Sequence, residues 1–157
     1  MAVSKGKPFE EKLSAQLREY DDSILVERLH DQMTGFINVS KNPSDFIVYK
    51  YPYMIYLECK SVRGASIPKD NLVQLERMEE RCTPRRKGVL GVFVIWFIDH
   101  KCTFWIDHRY IRESIDNGLK SFNYEVLMHT AKFDERVKLI PATYPRVYGK
   151  YNFEEIL

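Results

Sequence analysis

Ten residues from Val89 to Ile98 carry no charged or polar side chain, and most are β-branched or aromatic. The run is about half the ~20 residues a membrane-spanning helix needs. It does not alternate, so it is not a strand with one face in water. The pattern predicts a central strand buried on both faces. Such a strand needs partners on both edges and apolar layers above and below. The expected fold class is therefore α/β, a mixed central β-sheet flanked by helices.

The rest of the chain can supply those layers. At 157 residues it is long enough to bury a core without disulfides, and it is expected to form one domain over 1–157. Pro8–Tyr20 reads as a helix with Phe9, Leu13 and Leu17 on one face, and Ser4 is a candidate cap. Ile24–Leu29 reads as a strand, and His30–Lys41 gives no clear signal. After the turn signal Asn42-Pro43-Ser44, Asp45–Tyr49 and Met54–Lys60 read as the strands of a hairpin. Val62–Ile67 reads as a loop. Asp70 is the expected cap of a second helix, whose stripe is Leu72, Leu75 and Met78 and whose end is Thr83-Pro84. Cys102–Ile106 is expected as a strand and His108–Asn117 as a helix capped by Asp107 and stopped by Gly118. Val137–Ile140 is expected as an edge strand, and Asn152 as the cap of a last short helix.

Charge narrows the function only by where it sits. Lys and Arg number 24 against 22 Asp and Glu, a net charge of +2. Three cysteines, with no CxxC pair, fit free thiols in a reducing cytoplasm. No secretory signal or membrane segment is visible, so a cytoplasmic location and no membrane partner are expected. His100, Cys102 and His108 have irregular spacing and no fourth ligand nearby, which favours a turn histidine and a buried thiol over a zinc site.

The chemistry concentrates in the hairpin. Side chains alternate along a strand, so Glu58 and Lys60 share a face while Leu57 and Cys59 face the core. That alternation argues against Cys59 as a nucleophile. Charges ending an apolar strand are costly to desolvate unless they bind something. An antiparallel neighbour can bring Asp45 beside Glu58, and a divalent cation relieves the repulsion between two carboxylates. Mg²⁺ suits such a pair, and Lys60 would orient the attacking water or neutralise a phosphate. A Glu-x-Lys tripeptide is common, however, and by itself also describes a surface ion pair; Glu10-Glu11-Lys12 has the same spacing.

Pro43-Ser44-Asp45 followed by Glu58-Cys59-Lys60 resembles the PD-(D/E)xK nuclease superfamily. Within it the chain is similar to the RecU-type Holliday junction resolvases. Gly6-Lys7-Pro8-Phe9-Glu10 resembles that family's opening helix, Leu72–Met78 its Gln-bearing helix, and Val92–Phe97 its following buried strand. The resemblance implies a restriction-endonuclease-like core. It implies Asp45 and Glu58 as metal ligands, Lys60 as the catalytic lysine, Glu10 as an additional acid, and Gln74 as a group that positions water or phosphate. It implies Mg²⁺, with Mn²⁺ as a substitute. It also implies a homodimer on four-way branched DNA, acting in recombination and repair, with a recombinase or branch-migration protein as a further partner. Val73 stands where the family has His. The segment 30–41 is short where the family carries a long stalk, a form that suits a phage-encoded relative. Nucleases of the same superfamily that cut flaps, other branched DNA or duplex remain open, as does a non-catalytic DNA-binding protein.

The cations fit a DNA path. Lys5, Lys7, Ser44, Arg63, Lys69, Arg77, Arg81, Arg85, Arg86 and Lys87 are the expected DNA contacts. Tyr51, Tyr53 and Tyr56 read either as stacking groups for unpaired bases or as aromatics packed across a sheet. Tyr144-Pro145-Arg146 is open between DNA and a partner subunit.

Overall fold

The computed structural model describes residues 6–30, 32–34, 37–40 and 42–157. Helix α1 (Gly6–Tyr20) is followed by β1 (Leu25–Arg28), a small ribbon of β2 (Gln32–Thr34) and β3 (Ile37–Ser40), and the hairpin β4 (Phe46–Lys50) and β5 (Tyr53–Val62). Then come β6 (Ser66–Pro68), α2 (Leu75–Arg81), β7 (Val89–Phe97), β8 (Cys102–Asp107) and α3 (His108–Asp116). The chain closes with β9 (Ser121–Asn123), α4 (Tyr124–Thr130), β10 (Val137–Leu139), β11 (Ala142–Thr143) and β12 (Lys150–Tyr151).

The main sheet has six strands in the order β1-β4-β5-β7-β8-β10. Only the β5–β7 pair within it is parallel, and the other pairs are antiparallel. β7 lies in the interior of the sheet, and its residues from Gly91 to Phe97 are all buried. Its alternate side chains feed two apolar clusters. Val92, Val94 and Trp96 join Phe9, Leu13 and Leu17 of α1 on one face. Phe93, Ile95 and Phe97 join Leu75 and Met78 of α2 and Ile111 of α3 on the other. The continuous apolar run is thus accounted for by helices on both sides.

Three expectations need correction. The loop over 62–67 contains β6, which pairs with β9 through Ser66↔Asn123, Ile67↔Phe122 and Pro68↔Ser121. That pairing keeps 66–68 extended, and the Lys69 N–H then bonds the Lys120 carbonyl at 2.9 Å. Asp70 therefore sits in a short 3-10 turn (Lys69–Asn71), and α2 starts at Leu75 with Gln74 at its N-terminal boundary. Near the end, Asn152 forms a turn, its Oδ1 accepting the Glu154 N–H at 3.0 Å, and no helix follows. α4 was not expected; the Asn123 side chain caps it by accepting the N–H groups of Glu125 and Val126. No described helix is long and apolar enough to cross a membrane.

Candidate active site

The hairpin opens at the site. β4 pairs with β5 from Lys50↔Tyr53 only as far as Phe46↔Leu57, whereas β7 stays paired with β5 out to Val62↔Phe97. Beyond Leu57, β5 has therefore lost its β4 neighbour, and polar groups on that shoulder need other partners. Asp45 provides one. Its Oδ2 accepts the Cys59 N–H at 2.9 Å, taking the place of a ladder carbonyl. The Leu29 N–H donates to the Asp45 carbonyl at 2.8 Å, and the Ser44 hydroxyl donates to the Phe46 carbonyl at 2.8 Å. Both fix the approach of the chain to Asp45.

Alternation then sorts β5. Leu57 and Cys59 enter the cluster beneath α1. Glu58 and Lys60, whose register partners on β7 are Phe93 and Ile95, take the opposite face. Lys60 Nζ lies 3.2 Å from Glu58 Oε1; the Lys60 side chain is 21% exposed and that of Glu58 only 4%. Burial, with Asp45 adding like charge, pushes the Glu58 carboxyl up to about 8, against the pull of Lys60. Burial also raises Asp45, opposed by the Cys59 amide and Lys60. Cys59 is fully enclosed and its thiol is raised well above the ordinary range by burial and then by the carboxylates, which makes it a poor nucleophile.

Glu10 reaches this group from α1. Its carboxyl is raised by partial burial and then by Asp45, while Arg28 opposes the rise. Arg28 Nη1 sits 3.2 Å from Glu10 Oε2, and the guanidinium lies 4.8 Å over the Phe46 ring. Its Nη2 is buried and has no hydrogen-bond partner among the described residues. Arg28 was missed in the sequence. Its only local signal is a cation ending the strand Leu25-Val26-Glu27-Arg28, and the pairing Arg28↔Phe46 is what brings it to Glu10.

The structure thus brings Asp45, Glu58, Lys60 and Glu10 into one electrostatic cluster. Gln74 precedes α2, which packs on the Glu58 face of the sheet, and its Oε1 is buried without a partner among the described residues. Among the described residues no three His, Cys, Asp or Glu side chains form a ready metal cage. The three residues weighed as a zinc set have other contacts. His100 stacks on Tyr124 with ring centroids 3.9 Å apart, Cys102 is in the core, and His108 Nδ1 lies 3.2 Å from the Gly91 carbonyl.

The expected DNA contacts fall into separate groups. Lys5 lies outside the described residues, and Lys7 is exposed at the start of α1. Ser44 is buried with its hydroxyl committed to Phe46, so it is removed from the set of surface contacts. Arg63 and Lys69 follow the Lys60 end of β5, and Arg63 pairs with Asp99 at 3.3 Å. Arg77 and Arg81 lie on α2, Arg81 beside Glu80 at 3.4 Å. Arg85, Arg86 and Lys87 are exposed at the opposite end of β5, beside its first residues.

No family model matches the chain, and no curated protein matches it. Solved structures do. Hjc, a Holliday junction resolvase from the archaeal hyperthermophile Archaeoglobus fulgidus, is similar with a TM-score of 0.51 at 15% identity, over 77% of this chain and 90% of that one. The chain has the restriction-endonuclease-like fold of that resolvase: a central mixed sheet flanked by helices.

Proposed function

We propose that the protein is a divalent-metal-dependent endodeoxyribonuclease that nicks four-way DNA junctions, of the RecU type. One observation carries the reading. At the open shoulder of the hairpin, Asp45 holds the Cys59 amide while Glu58, on the adjoining face, holds Lys60 at 3.2 Å. Likeness of the fold to an archaeal resolvase supports the same assignment.

The residues fit Mg²⁺ or Mn²⁺. Burial and then mutual repulsion keep these two neighbouring carboxyls from ionising together, with Glu58 pushed up to about 8, and a divalent cation would relieve both. All their donor atoms are oxygen, which suits these hard cations. Asp45 and Glu58 would hold the ion, which supplies Lewis-acid activation of water and neutralises charge on the phosphate. Lys60 offers a cation to the attacking water or the phosphoryl oxygens. Arg28 favours the ionised form of Glu10 and offsets its charge. Gln74, through its unpartnered Oε1, would orient water or a phosphate from the α2 side.

A second reading, a nuclease of the same fold acting on flaps, other branched DNA or duplex, draws on the β2–β3 ribbon. Its strands of three and four residues make a short arm where the RecU-type family carries a long stalk, and residues 31, 35, 36 and 41 of the segment lie outside the described residues. A homodimer follows from the two-fold symmetry of a four-way junction, which calls for two opposed sites. The deciding experiment is a panel of labelled junction, fork, flap and linear duplex, with and without Mg²⁺, alongside Glu58→Gln. Metal-dependent nicking of the junction alone, lost in Glu58→Gln, supports the proposal. Comparable cutting of linear duplex overturns the junction assignment, and inactivity on every substrate with both Mg²⁺ and Mn²⁺ overturns the nuclease.

A further inference from the structure

The face of the sheet that carries Glu58 continues as an open surface toward the tip of the hairpin. Register places Leu25, Tyr49 and Met54 side by side in one row and Glu27, Ile47 and Tyr56 in the next. Leu25, Glu27 and Tyr49 are exposed, while α2 and α3 pack over β7 and β8 on this face. At the tip, Tyr51 is 82% exposed and Tyr53 48%, and Tyr49 on the open face is 41% exposed. Tyr49 and Tyr51 thus leave their rings open to solvent at one end of the hairpin, where a ligand can reach them.

A cationic loop is fastened to the same tip. The Met54 N–H donates to the Gly88 carbonyl at 2.7 Å, so Arg85, Arg86 and Lys87 lie beside the hairpin. Arg86 is braced by donating from Nη1 to the Glu80 carbonyl at 3.2 Å and the Arg81 carbonyl at 3.1 Å. Arg85 and Lys87 form no ion pair among the described residues and are exposed. Along the Glu58 face, from Met54 to Glu58 is four steps of strand, about 13 Å at ~3.3 Å per residue.

We infer that this face is a track for an unpaired DNA strand, leading from the Asp45–Glu58 cluster to the hairpin tip, with bases stacked on Tyr49 and Tyr51 and phosphates drawn by Arg85, Arg86 and Lys87. Exposed rings beside unpaired cations match how single strands are held without sequence preference. A closed duplex does not offer its base faces to a side chain, so the tyrosines select for unpaired nucleotides. The inference rests on the nuclease reading and adds to it the strand that is unpaired where the arms of a branched DNA meet. Strand binding itself requires neither metal nor cleavage.

The test is fluorescence anisotropy of labelled oligo-dT and of blunt duplex in EDTA, with 2-aminopurine in the oligonucleotide as a stacking reporter. Wild-type protein is expected to bind oligo-dT more tightly than blunt duplex and to quench 2-aminopurine. Tyr49→Ala with Tyr51→Ala is expected to weaken oligo-dT binding about tenfold or more and abolish the quench, because each stacked base contributes measurably. Tyr49→Phe with Tyr51→Phe should keep both. Arg85→Ala with Lys87→Ala should weaken oligo-dT and flatten its salt dependence. Unchanged binding and quench in the double alanine variant, confirmed folded by circular dichroism, overturns the inference; so does a wild type that prefers blunt duplex. Glu58→Gln separates the two proposals: it should lose cleavage and keep oligo-dT binding.

Discussion

The carboxylate of Asp45 stands in for a strand: its Oδ2 accepts the Cys59 N–H at 2.9 Å at the point where β4 ceases to pair with β5. One side chain therefore serves both the sheet and the charge cluster, and substitutions can separate the roles. Asp45→Asn keeps an acceptor oxygen for Cys59 and should melt close to wild type while losing nicking. Asp45→Ala leaves a buried N–H unpaired and should lose about 1–3 kcal/mol as well, read by denaturant unfolding. Equal stability of the two variants would contradict the ladder role.

Glu58 makes stability depend on pH in a definite direction. Its carboxyl rises from an ordinary value near 4.5 to about 8 in the folded chain. Between those values the folded state binds more protons than the unfolded state, so stability should fall as pH rises from about 5 to 8. Glu58→Gln should flatten that slope, visible as melting temperatures recorded across the range without metal.

Divalent ions should act in the opposite sense. Binding requires the carboxylates ionised, so Mg²⁺ or Mn²⁺ should raise the melting temperature more at pH 8 than at pH 5.5, and this difference should shrink in Glu58→Gln. A metal-induced shift independent of pH would show that the ions bind elsewhere.

Arg28 offsets charge at Glu10 while its guanidinium covers Phe46. Arg28→Met keeps much of the apolar contact and removes the cation, leaving Glu10 facing Asp45. A loss of about 1–3 kcal/mol is expected, larger at pH 8 than at pH 5 because the fraction of Glu10 and Asp45 that is ionised rises with pH. Urea unfolding at both pH values checks it; equal losses would mean that only packing matters.

Gly88 has φ +80°, and a Cβ there would meet the Pro52 carbonyl oxygen at 2.7 Å. Gly88→Ala should cost about 1–3 kcal/mol from backbone strain, more with the clash, and should loosen the cationic loop from the hairpin tip. Thermal melting reads the first effect and oligo-dT anisotropy the second.

The apolar run at 89–98, the hairpin and the order Asp45…Glu58-x-Lys60 were legible because each rests on local rules. Periodicity separates a buried strand from a half-wet one, and alternation puts Glu58 and Lys60 on one face away from Cys59. β6 and β9 were not legible, since strands of three residues have no period and exist only through each other. The start of α2 was misplaced for the same reason, because β6 pairing holds the preceding residues extended.

For the candidate site, the sequence by itself determined which groups are available and how they alternate on one strand. Tertiary structure decided the rest: that Arg28 meets Glu10 across α1 and β1, that Asp45 completes a ladder rather than facing solvent, and that Glu58 is buried enough to hold its proton to about 8. Hydrogen bonds between distant residues and the loss of water around a charge depend on how the chain closes on itself, which no local pattern encodes.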